Sequence, residues 1–157
     1  MTAMVYPLRR TVTSLFFEKI PDHIPMQLGD VVLPKLRVIR SIHIAAKPWR
    51  PIWFQWSIFK TVEVFISNYS EAKGYWEEAL KHLEKFKKAP KLKHFIFITH
   101  DIKIKNDTIL VELFKAHGIT CHFRTRMTHI DVLNFVDQLD QEFEEITTIE
   151  HKFGSGA

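Results

Sequence analysis

The sequence predicts an α/β fold: a single-domain mixed sheet in ββαβαβα order, with an antiparallel N-terminal hairpin, a parallel βαβαβ portion and helices on the sheet faces. Three observations carry this. HFIFIT (94–99) is an unbroken apolar run rich in aromatic and β-branched residues, the composition of a strand covered on both faces. On either side of it, apolar residues recur three and four apart over 70–86 and 106–118, the spacing of amphipathic helices. A further strand, ITCHFRTR, and a last helical stripe then complete a strand–helix alternation that closes through right-handed parallel crossovers.

The elements follow in order. TVTSLFFEKI (11–20) reads as a short strand or helix ended by Pro21, and PDHIPMQLGDVVLP as irregular chain with a small hairpin. From Leu36, apolar Leu36, Val38, Ile42 and Ile44 alternate with Arg37, Ser41, His43 and Lys47, the period of a half-buried strand. KPWRP turns the chain into IWFQWSIFKTVEVFIS, where Ile52, Phe54, Trp56, Ile58, Val62, Val64 and Ile66 share one parity; this is expected to be a long strand hairpinned to its predecessor. Ser70 and Glu71 open a helix with stripe Tyr75, Trp76, Ala79, Leu80, Leu83 and Phe86, stopped before Pro90. HFIFIT should sit centrally in the sheet. Asp107 or Asn106 caps the next helix (Ile109, Leu110, Leu113, Phe114), and Gly118 suits its left-handed end. Thr128 and Asp131 form a capping-box-like start to the last helix, lined by Ile130, Leu133, Val136, Leu139, Phe143 and Ile146.

The chain of 157 residues fits one domain, 1–153, with the terminal GSGA (154–157) read as an appended tail. One cysteine, Cys121, excludes an intrachain disulfide and a thiolate-rich zinc site and points to a reducing, cytoplasmic setting; its place within a strand reads as packing rather than as a nucleophile. No uncharged apolar stretch of about 18 residues occurs, so no membrane span is expected. The net charge of +4 is unevenly spread, with +6 over 1–60, +3 over 61–105 and −5 over 106–157, which points to an anionic partner for the basic part.

Two sets of residues carry chemistry. At the carboxyl ends of the parallel strands, His100, Asp101, His129 and Asp131, with Arg124 and Arg126 beside them, have the donor types for a divalent metal or a phosphate. The second set is basic: Lys47 and Arg50 among the rings of KPWRPIWFQW, then Lys60, and Lys85, Lys87, Lys88, Lys91 and Lys93 in KFKKAPKLK, a pattern suited to phosphate contacts with aromatic stacking. Phosphate-cradling glycine loops of the GxGxxG and GxxxxGK[ST] types are absent from the sequence.

A β-hairpin ending in an acidic strand at Glu63, the helix containing EEALKHLEKF, and an apolar strand ending in Thr99 together resemble the restriction-endonuclease-like nucleases. That resemblance implies a metal-activated water held by an Asp on one strand and a Glu-x-Lys pair on the next; read on the residues here, the catalytic groups would be Glu63 with His100 and Asp101 from the strand ends. The corresponding place here reads Glu63-Val64-Phe65, and LRVIRSIHIAA before it offers no Asp. The same element order also resembles anti-sigma-antagonist-like interaction domains, with KNDTI standing where their Asp-Ser-Gly-type helix start would be.

The leading expectation is therefore a non-catalytic binding domain whose basic surface engages nucleic acid or a nucleic-acid-associated complex. The alternatives are a divergent metal-dependent phosphodiesterase using Glu63, and a homo-oligomeric interaction domain that buries the Trp-rich hairpin.

Overall fold

Every strand of the sheet runs the same way. A computed structural model describes residues 10–17, 30–41, 55–72, 74–81, 83–100 and 107–153. It separates into two compact units, Met1–Thr125 and Arg126–Ala157.

Among its described residues the first unit has five strands, β1 (Ser14–Phe17), β2 (Val38–Ser41), β3 (Val64–Asn68), β4 (His94–Thr99) and β5 (Thr120–Thr125), in the spatial order β1-β2-β3-β4-β5. All four pairings are parallel. The α/β class is as expected, but the antiparallel N-terminal hairpin is not found. Between Ser41 and Val64 lie 22 residues, the length of a crossover rather than of a hairpin turn. The alternating pattern read through 52–66 also gives way: Ser57–Lys60 is a 3-10 turn that buries Ile58 and Phe59. Residues 11–20 supply β1, and the expected hairpin within 21–34 falls mostly outside the described residues.

Parallel strands bury both faces, so buried residues follow one another without alternation in β2, β3 and β4. One face carries Ile39, Phe65, Phe95, Phe97 and Phe123 and packs against the connections. Helix α1 (Tyr75–Leu80) reaches it through Trp76, whose ring meets Phe97 edge-on at 4.8 Å and stacks on Tyr69 at 5.8 Å. A 3-10 segment, Leu83–Lys88, continues where the sequence suggested one longer helix. Helix α2 (Thr108–Lys115) sets Phe114 against Phe95 at 5.0 Å and Phe97 at 6.0 Å. The Ser57–Lys60 turn packs Phe59 on Phe65 at 5.8 Å. Consecutive strand order with crossovers of one hand puts these connections on the same side of the sheet. Val38, Val64, Ile66, Ile96 and Ile98 form the other face and are also buried.

The ends of α2 are as the sequence predicts. Asp107 Oδ1 accepts from the Leu110 N–H at 3.1 Å. Gly118, at φ 73°, closes the other end, with its N–H donating to the Lys115 carbonyl and that of Ile119 to Phe114. Leu110 and Phe114 are buried, while Ile109 and Leu113, also placed on the expected core stripe, face solvent.

The second unit is essentially helix α3 (His129–Phe153). Its start is the expected capping box: Asp131 Oδ2 accepts from Thr128 N–H at 2.8 Å and Thr128 Oγ1 at 2.6 Å, and Thr128 Oγ1 accepts from Asp131 N–H at 3.2 Å. Val132 and Val136 are the buried residues of its first turns, whereas Ile130 and Leu133 are exposed, so the apolar stripe is rotated from the one expected. Among the described residues, no helix is long and apolar enough to cross a membrane.

Candidate functional site

Because the strands are parallel, every segment that enters a strand does so at one rim of the sheet. A chain of backbone bonds marks it. Arg37 N–H donates to the Thr13 carbonyl at 2.8 Å, Glu63 to Arg37 at 2.9 Å, Lys93 to Glu63 at 2.9 Å and Thr120 to Lys93 at 2.8 Å. Lys93 belongs to this row, exposed Lys35, Lys60 and Lys91 lie within three residues of it along the chain, and exposed Lys87 and Lys88 end the 3-10 segment that precedes it. Thr61 Oγ1 donates to the Leu33 carbonyl at 2.9 Å, which holds the turn bearing Lys35 against the one bearing Lys60. Strands β2 and β4 are about 10 Å apart at the usual interstrand spacing, so the entries that these lysine-bearing segments lead into lie along one edge of the sheet. Asp30 and Glu84 are exposed carboxylates in the described parts of the segments that lead into β2 and β4.

Glu63 lies in the middle of that edge, and its charge is already engaged. Arg37 Nε and Nη2 donate to Glu63 Oε2 at 3.2 and 2.9 Å, with both side chains partly open to solvent. The pair joins the entries of two neighbouring strands.

The sequence-predicted residues therefore divide. Lys60, Lys87, Lys88, Lys91 and Lys93 are exposed residues of the segments that lead into β3 and β4 at the amino-end rim. Lys85 belongs to the Leu83–Lys88 segment that leads there, and Lys47 and Arg50 lie outside the described residues. Glu63 and His100 do not meet. Glu63 is level with Lys93, and His100 comes seven residues later, past the far end of β4, about 23 Å away along the strand. Asp101 lies outside the described residues, and His129 and Asp131 belong to the second unit. Among the described residues, no three His, Cys, Asp or Glu side chains gather closely enough to hold a metal ion.

At the carboxyl-end rim, consecutive strand order leaves no point where the winding reverses, the feature that opens a ligand crevice in doubly wound sheets. The start of α2 is occupied by its own side chain. Asp107 caps Leu110 and also accepts from the Tyr69 hydroxyl at 2.9 Å. Burial first, then that hydrogen bond and the Asp107 charge, push the Tyr69 phenol well above its ordinary range. A carboxylate at this place opposes an incoming phosphate. Arg124 turns its Nη1 to the Phe123 carbonyl at 2.9 Å, and Arg126 is exposed at φ 35° where the two units join.

Cys121 is packing, as expected: burial, then the Asp107 charge, pushes its thiol up to about 12, so the thiolate is scarce at neutral pH. Of the Trp-rich stretch, Trp49 and Trp53 lie outside the described residues. Trp56 is half-buried against the core beside the 3-10 turn, and the strands on either side of this stretch, β2 and β3, pair in parallel and not as the hairpin through which oligomerisation was expected.

Sequence reasoning missed one arrangement. His94 on β4 and His122 on β5 meet on the face opposite the aromatic core, His94 Nδ1 lying 3.1 Å from His122 Nε2. The signal was present: both have the same parity, and parallel pairing of 94–99 with 120–125 makes them diagonal neighbours. The chain matches no protein-family model, no curated protein and no solved structure.

Proposed function

We propose that this chain is a non-catalytic binding domain that engages nucleic acid through the basic rim at the amino ends of its strands. The reading is supported by exposed Lys35, Lys60, Lys87, Lys88, Lys91 and Lys93 in the segments that enter the strands at one rim, and by the carboxylate beside that rim, Glu63, being tied to Arg37. Six ammonium groups on loops fixed by a rigid sheet match a run of backbone phosphates, whose neutralisation releases condensed counterions. The charge layout of the chain agrees, since its basic excess lies in the residues that build this sheet. The separation of Glu63 from His100 speaks against the phosphodiesterase alternative, because one metal ion must touch all its ligands within about 2.5 Å.

Fluorescence anisotropy with a labelled nucleic-acid duplex tests the proposal. If four or five rim lysines contact phosphates, affinity falls about 10²- to 10³-fold between 50 and 200 mM salt. The triple variant Lys60→Glu/Lys91→Glu/Lys93→Glu should abolish binding while keeping the wild-type circular dichroism spectrum. Binding that ignores salt, or that survives this charge reversal, would sink the reading.

A further inference from the structure

We propose that His94 and His122 form a two-imidazole site for a divalent transition-metal ion, copper(II) being the tightest binder. The two residues sit on adjacent parallel strands, with His94 opposite Thr120 and His122 opposite Ile96, so their backbones are held by the ladder. Their rings face each other at 5.2 Å between centroids and 44° between planes. The facing nitrogens, His94 Nδ1 and His122 Nε2, are 3.1 Å apart.

With metal–nitrogen bonds of about 2.0–2.1 Å, nitrogens at this separation subtend about 100° at a shared ion, close to the cis angle of tetragonal or tetrahedral coordination. To admit the ion, both rings turn so that the facing nitrogens point at it rather than at each other. In the metal-free pair one imidazole N–H donates to the other ring; with metal bound, that proton moves to the remote nitrogen of the same ring, and both facing lone pairs are free to ligate. Waters complete the coordination, because both side chains remain partly exposed.

Arg124, two residues along on the same face, places a positive charge near the site and works against a cation. Imidazole ligands and the order of divalent affinities therefore favour copper(II) over the weaker ions.

Calorimetric titration of the full chain with copper(II) alone, at pH 7.5, tests the proposal. Wild type should bind one ion at least tenfold more tightly than either His94→Gln or His122→Gln. His117→Gln, on an exposed ring bonded to the Leu113 carbonyl, should match wild type. Arg124→Gln should bind several-fold more tightly. On the unaltered protein, the copper electron paramagnetic resonance spectrum should show hyperfine splitting from two imidazole nitrogens, a readout independent of how the variants fold. Equal affinity of wild type and His122→Gln, or a spectrum with a single coordinated imidazole, overturns the site.

Discussion

Replacing Asp107 by alanine should destabilise the protein far more than the loss of an ordinary helix cap. Asp107 Oδ1 caps α2 by accepting from Leu110 N–H, a bond whose loss costs about 1 kcal/mol. Its Oδ2 accepts from the hydroxyl of Tyr69, which is 7% exposed and wedged among Trp76, Phe97 and Phe123. Leaving that buried hydroxyl unsatisfied adds about 1–3 kcal/mol, so Asp107→Ala should cost about 3 kcal/mol in total. Tyr69→Phe leaves Asp107 its capping bond and partial contact with water, and should cost about 1 kcal/mol. In the double variant no hydroxyl is stranded, so the total should fall short of the summed single costs by about 1.5 kcal/mol. Urea unfolding followed by tryptophan fluorescence, with unchanged denaturant slopes, measures all four corners of the cycle. The reasoning fails if Asp107→Ala costs no more than a cap, or if the two substitutions are additive within about 0.5 kcal/mol.

Two further outcomes follow from the packing and the histidine pair. In the presence of a chelator, lowering the pH from 7 to 5 should remove about 1 kcal/mol of stability through His122, after allowance for solvent screening of a partly exposed group. The sign follows from its lowered pKa: the unfolded chain takes up this proton near 6.5 and the folded one only near 4, so stability is full above that window and is lost as pH falls through it. His122→Gln should flatten this part of the pH profile, and an unchanged slope would refute the assignment. Phe95→Ala, which empties a site with no exposure between Phe65, Phe97 and Phe114, should cost about 3–5 kcal/mol by denaturant unfolding, and a loss below 1 kcal/mol would contradict the packing.

What could be read from the residues alone was whatever short-range chemistry decides. HFIFIT and ITCHFRT announce themselves by composition, and α2 by a capping aspartate and a terminating glycine whose roles depend only on their near neighbours. Strand direction is different, because local periodicity carries no information about it. Between 57 and 66 apolar residues occupy both parities, and reading only Ile58, Val62, Val64 and Ile66 as the inner set left Phe59 and Phe65, both with no exposure, without a place. The unbroken apolar run Val64, Phe65 and Ile66 is the sequence mark of a covered parallel strand, and all three are buried. The same missing information hid part of the candidate interface. The lysines of 85–93 stand out in the sequence as a run, but Lys35 joins Lys60 and Lys93 only when the strand entries share an edge. Glu63 likewise reads as a lone strand carboxylate until β2 and β3 run together and bring Arg37 beside it.

Consecutive strand order also bears on how the sheet is assembled. Each strand touches only the strands before and after it in the chain, so growth proceeds by repeated addition of a neighbouring crossover unit, much as in a stacked repeat. A chain emerging from its first residue can lay down β1, β2 and β3 without waiting for any later segment to be inserted between them. Loss of an outer strand then frays the sheet from its margin, while the tightly packed rings of β3 and β4 hold the remainder together.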